Sequence, residues 1–192
     1  MAEIENDVNY TGVHAFLFVR DVAEAETPRE LASRLRDLGA PPEGPVIFAS
    51  DAVGDYVAFA HVRTESLAEL QELISGELWS RGARGRYSIE GAVYKDQQTG
   101  FHVGAKRSTP EVIGLVSIVV ERGRVNEVLQ ALGSVPSFKG ASAISGKFDI
   151  LLQLGGDDLD DVIGPAMDAL QGIDGIVHTS SAFTDASASG AL

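Results

Sequence analysis

Short apolar runs of strand length alternate along this chain with stretches in which apolar residues return every three or four positions, and the two kinds come in the same order in each half. Val13 to Val19, broken only by His14, reads as a strand that Arg20-Asp21 ends. Thr27-Pro28-Arg29-Glu30 starts a helix, with Thr as N-cap, Pro at the first helical position and Glu at the third. Leu31, Leu35 and Leu38 mark its buried face, and Gly39 followed by Pro41-Pro42 stops it. Val46 to Ala49 and Tyr56 to Val62 predict a hairpin around the turn-forming Ser50 to Asp55. Leu67 to Leu78 carries the stripe of a second helix, which Thr64 or Ser66 can cap, and Tyr87 to Tyr94 is a fourth strand.

The second half repeats the order: strand from Ile113 to Val120, helix from Val125 to Leu132, a hairpin of Ala141 to Ile144 and Phe148 to Leu154, helix from Leu159 to Leu170, and a last strand from Ile176 to Phe183. Gly54-Asp-Tyr-Val-Ala-Phe-Ala-His-Val62 is echoed by Gly146-Lys-Phe-Asp-Ile-Leu-Leu-Gln-Leu154, and Gly82-Ala-Arg-Gly85 by Gly172-Ile-Asp-Gly175. The offset is 92 at Gly54/Gly146 and 90 at Gly85/Gly175, so one unit of β-α-β-β-α-β order stands in tandem. The predicted fold class is α+β, with two ferredoxin-like units built on antiparallel sheets. The expected division is a flexible lead over 1–11, a first unit over 12–95, a linker over 96–111, a second unit over 112–185 and a disordered tail over 186–192. Helices cover one face of such a sheet, and the other face needs a cover. Two copies supply it to each other, giving a pseudo-dimer of two four-stranded sheets, packed as a sandwich or partly closed barrel.

Charge narrows the partners. Fifteen basic against 28 acidic side chains leave a net charge of −13, and neither half has a basic arm. Nucleic-acid binding rests on Lys and Arg neutralising phosphates, so direct binding to nucleic acid or to an anionic membrane is not expected. No cysteine is present, which removes disulfides, thiolate metal sites and cysteine nucleophiles. The acidic N-terminus is unlike a secretory signal and no run reaches the roughly 20 apolar residues of a membrane helix, so a cytoplasmic protein is expected.

Ser145-Gly-Lys-Phe-Asp149 with its apolar continuation, the helix Leu159 to Leu170, and Gly175-Ile-Val-His-Thr179-Ser-Ser181-Ala-Phe183 together resemble the effector-binding domain of the Lrp/AsnC family of feast/famine regulators. The resemblance covers roughly Val112 to Thr184. It implies an ACT-like small-molecule sensor in transcription regulation that binds amino acids at clefts between units and assembles into oligomers. The helix-turn-helix of those regulators has no counterpart here, Val57 stands in the first copy where Asp149 stands in the second, and Asp174 and His178 replace the family's Pro and Arg.

Gly146, Asp149, Thr179 and Ser181 are the ligand-binding candidates under that resemblance. Asp149 can accept from an α-ammonium group or tie down its own turn, and both readings stand. Thr179 and Ser181 share one strand face, where hydroxyls can meet a carboxylate or simply face solvent. Phe148 and Tyr56 read as core. Asp157, Asp158, Asp160 and Asp161 fit a helix N-terminus better than a metal site. His14, His61, His102 and His178 have no paired ligand spacing, and no catalytic residue, metal or cofactor is assigned.

The leading expectation is therefore a non-enzymatic sensing module without its own DNA-binding domain, acting on an amino-acid-like effector as a homo-oligomer or co-assembled with a related regulator. The alternatives are an α+β-barrel enzyme of the cofactor-free monooxygenase or cyclase type, and a purely structural assembly unit. A buried polar pocket inside the barrel, reached by His14, His61 or Tyr56, favours the enzyme. A cleft near Asp149 favours the sensor.

Overall fold

The computed structural model describes residues 13–22, 26–40, 43–79, 88–95, 102–104 and 112–185. The lead over 1–11, the turn at Gly82 to Gly85, most of the linker and the tail over 186–192 lie outside them, as do the side chains of His14, His102 and Gly146's neighbour Ser145. The first half runs β1 (Val13–Asp21), α1 (Pro28–Arg36), β2 (Val46–Asp51), β3 (Val53–Gly54), β4 (Ala58–Thr64), α2 (Leu67–Leu73) with a π-helical continuation Ile74–Trp79, and β5 (Ser88–Lys95). After β6 (His102–Gly104) the second half runs β7 (Val112–Val120), α3 (Val125–Leu132), β8 (Phe138–Ala143), β9 (Ser145–Gly146), β10 (Ile150–Gly156), α4 (Leu159–Gln171) and β11 (Ile176–Asp185).

The helix starts are those the sequence encodes. Thr27 Oγ1 accepts from Glu30 N at 3.3 Å while Glu30 Oε2 accepts from Thr27 N at 2.8 Å, closing the capping box of α1. The carboxylate that accepts both the backbone and side-chain donors of Thr27 is held below the usual glutamate range. Ser66 caps α2 by accepting from Glu69 N, and Asp158 caps α4 by accepting from Asp160 N.

The fold is α+β with antiparallel sheets in strand orders β2-β4-β1-β5-β9 and β3-β11-β7-β10-β8-β6. These sheets have five and six strands where four each were expected. The extra strands come from an exchange: the hairpin tip of each half reaches across and pairs with the last long strand of the other. β3 pairs with β11 through Ala182↔Gly54 and Phe183↔Val53, and β9 pairs with β5 through Ala92↔Gly146 and Val93↔Ser145. An unpaired edge is thereby covered in each sheet. β6 adds to the far edge of the second sheet through β8.

Side-chain alternation divides the interior into three cores. Val13, Ala15, Leu17 and Val19 of β1 face α1 and α2 together with Leu31, Leu35 and Leu70. Val116, Ile118 and Val120 of β7 face α3 and α4 together with Val128, Leu132 and Leu170. The opposite faces meet between the sheets, where Phe16, Phe18, Tyr56 and Phe59 pack with Leu115, Phe148, Leu151 and Ala182. Each large side chain sealed here contributes on the order of 1.5–3 kcal/mol, so the two halves hold each other largely through this aromatic layer. On the opposite, helix-facing side of β7, Gly114 makes room for Phe183 of that core, since a Cβ there would lie 2.6 Å from the Phe183 ring.

Candidate functional site

The repeat persists down to single hydrogen bonds. Val57 N donates to Val19 O and Ala52 N to Val57 O; in the second half Asp149 N donates to Ile118 O and Ile144 N to Asp149 O. Asp149 adds a side-chain bond that Val57 cannot make, accepting from Val120 N on Oδ2 at 2.9 Å. That carboxylate therefore secures the end of β7, which is the turn-support geometry.

The four ligand-binding candidates are distributed over both sheets. Gly146 lies in β9 on the edge of the first sheet, whereas Asp149 precedes β10 of the second. Thr179 and Ser181 register with Ile118 and Val116, which places them on the helix-facing side of β11. The backbone of Ser181 is taken up by the exchanged tip: Asp55 Oδ2 accepts from Ser181 N at 2.9 Å, and Asp55 N donates to Ser181 O at 2.8 Å.

A different set of polar groups gathers between the sheets. Ser50 Oγ and Thr184 Oγ1 lie 2.7 Å apart, buried, joining β2 of one sheet to β11 of the other. Ser117 of β7 and Ser180 of β11 are direct cross-strand partners on the same inner face, exposed by 0 and 2 %. Ser180 Oγ is 3.1 Å from Nε2 of His178, an exposed residue at the start of β11, so this pair runs from the rim into the interior. The Ser117 hydroxyl is buried and without a partner. The walls are aromatic: Phe18 and Tyr56 centroids are 4.9 Å apart, Arg20 lies over the Tyr56 ring at 4.7 Å, and His61 stacks on Phe16 at 4.3 Å. Tyr56 and His61 thus face the inter-sheet interior.

An open groove of about 810 Å³ lies at the end of β4 and start of α2, lined in part by Pro45, Arg63, Glu65, Glu69 and Glu72. Of its glutamates, Glu69 serves the helix start, its Oε2 accepting from Glu65 N at 2.9 Å. Among the described residues no three His, Cys, Asp or Glu side chains group as metal ligands, and no helix is long and apolar enough to cross a membrane.

Sequence reasoning missed Ser117 and Ser180. The signal was present in Gly114-Leu-Val-Ser-Ile-Val-Val120, where one hydroxyl interrupts an apolar strand at the parity of Leu115 and Val119.

No protein-family model matches the chain, and no curated protein matches it by sequence. Solved structures do match along almost its whole length. A mutant chlorite dismutase from Candidatus Nitrospira defluvii superposes with a TM-score of 0.58 at 14% identity, covering 95% of each chain. An anthrone oxidase-like protein superposes with a TM-score of 0.59 at 9% identity over 90% of each chain. A protein of Lactobacillus acidophilus NCFM, provisionally described as a monooxygenase, gives 0.52 at 8% identity over 90% of this chain and 92% of that one. The class these neighbours define is the tandem ferredoxin-like α+β barrel.

They correct the expected relationship. The neighbours are chlorite dismutase-like and oxidase- or monooxygenase-type barrels, not Lrp/AsnC effector-binding domains. The expectation of a non-enzymatic sensing module in transcription regulation with an amino-acid effector falls with it, because the matching folds carry the names of enzymes. The physical reason for the misreading is that the Gly-x-aromatic hairpin exit serves the strand exchange in both halves and so reports the doubled fold rather than one family's site.

Proposed function

We propose that this protein is an α+β-barrel enzyme that oxidises a small aromatic substrate with dioxygen in the interior between its two sheets. The observation that carries this reading is the placement of Ser117, Ser180 and the Ser50–Thr184 pair on inward faces, inside aromatic walls, where a purely structural core is served better by apolar side chains. Neighbours named for chlorite dismutation and anthrone oxidation support redox chemistry on small molecules, by analogy of fold.

The chemistry needs little from the protein. An anthrone-type ketone has a methylene between two aryl rings, and loss of one of its protons leaves an anion delocalised onto the carbonyl oxygen. That anion reduces dioxygen; the net change converts one methylene and one O2 into a carbonyl and one water, with no other oxidant. His178, at the rim and 3.1 Å from Ser180 Oγ, is the group suited to take the proton, with Ser180 orienting its ring. The low-dielectric aromatic interior strengthens any hydrogen bond made to the developing oxyanion.

The test is oxygen uptake by the purified protein with anthrone. Uptake at least about 100-fold above the uncatalysed rate, reduced in His178→Gln, is the expected result. No uptake with anthrone overturns the oxidase reading, and oxygen release from chlorite instead would replace it with the dismutase chemistry of the other neighbour.

A further inference from the structure

Ser117 sits at the middle of β7, 0 % exposed, and its Oγ makes no hydrogen bond. Strand parity directs that hydroxyl to the inter-sheet face, since Leu115 and Val119 on either side of it pack in the aromatic cluster while Val116 and Ile118 pack under the helices. Among the described side chains, those placed to satisfy it are engaged or apolar. Ser180, opposite on β11, is with His178; Ser50 and Thr184 hold each other; Leu151, opposite on β10, has only carbon to offer. Buried hydroxyls are almost always paired, and one that is not marks strain or a missing partner.

We propose that Ser117 Oγ is the hydrogen-bond donor to one neutral oxygen, a hydroxyl or carbonyl, of an aromatic ligand held between the sheets. Phe16, Phe18, Tyr56, Phe59 and Phe148 select the ring by offset and edge-to-face packing. A neutral oxygen fits this lining, whose buried polar residues among those described are hydroxyls, while the Arg20 guanidinium at the wall is engaged over the Tyr56 ring. A single orphaned donor calls for a single oxygen. The ligand enters on the side of His178, where the inner face of β11 reaches solvent. The inference rests on the interior being the reaction space, as proposed above, and reads binding, not turnover.

Phenol and its isostere toluene test it on the full-length protein by methyl NMR. The expected result is saturable shifts at Leu115 and Leu151 in the wild type, with Ser117→Ala weakening phenol about tenfold relative to toluene, the effect of one hydrogen bond. Ser117→Cys, whose thiol is a poor donor, gives the same readout if the alanine variant does not fold. An unchanged phenol-to-toluene ratio overturns the proposal, and so does the lack of saturable shifts at those methyls with both probes. Binding without oxygen uptake leaves the subsite standing and removes the oxidase; oxygen uptake without phenol binding does the reverse.

Discussion

Ser117→Ala should make the ligand-free protein more stable. An unpartnered buried hydroxyl costs on the order of 1–3 kcal/mol in lost hydration, and Ser117 Oγ is such a group. Its removal leaves a gap of roughly 10 Å³, which at about 24 cal/mol per Å³ costs only about 0.2 kcal/mol. The net gain is about 0.8–2.8 kcal/mol, or a rise in Tm of about 2–11 °C for a chain of this size. Urea unfolding and calorimetry without ligand measure it. Ser50→Ala provides the contrast, since it strands Thr184 Oγ1 in a 5 % exposed site and should cost about 1–3 kcal/mol. Two serines in one interior thus take opposite signs. A loss of 1 kcal/mol or more in Ser117→Ala would refute the reasoning, because it would show that the hydroxyl is paired within the protein.

Three further outcomes follow from the geometry. Asp149→Ala should cost about 1–2 kcal/mol by leaving Val120 N without its acceptor, while phenol binding between the sheets is unaltered; denaturant midpoints and the NMR titration check both. Gly54→Ala should destabilise by about 1–3 kcal/mol, because φ there is +125° and a Cβ would stand 2.6 Å from Ser181 O, and hydrogen exchange at Ser181 should rise as the β3–β11 pairing loosens. Glu30 is depressed by its bonds to Thr27, so the stability it confers is complete above its ordinary value of 4.5 and fades as pH falls below that toward the folded-state value. Glu30→Gln should flatten the pH dependence of Tm in that acid window and leave it unaltered at neutral pH.

Much of this fold is written in local chemistry. The Thr27-Pro28-Arg29-Glu30 box starts α1 where its residues direct, and the paired Gly54 and Gly146 segments announce the duplication. What stayed hidden is non-local. β3 and β9 are two residues each, too short for any period, and exist only because the opposite sheet offers a free edge. The same exchange explains why Gly146 looked like a member of a ligand-binding signature. The interior was half legible: Phe148 and Tyr56 are core as their alternation implies, but Ser117 acquires meaning only when β7, β10 and β11 stand side by side and none of them pairs it. Thr179 and Ser181 share a strand face, as period two demands; that this face looks to the helices and not between the sheets is set by the register with Ile118 and Val116.

The most direct measurement of the central claim is oxygen uptake by Ser117→Ala beside the wild type, with anthrone, on samples whose Tm is known. If the unpaired hydroxyl is retained for a ligand's oxygen at the expense of stability, the variant melts higher and, with anthrone well below saturation, consumes oxygen about tenfold more slowly. A variant that melts higher and turns over at the wild-type rate would contradict the account.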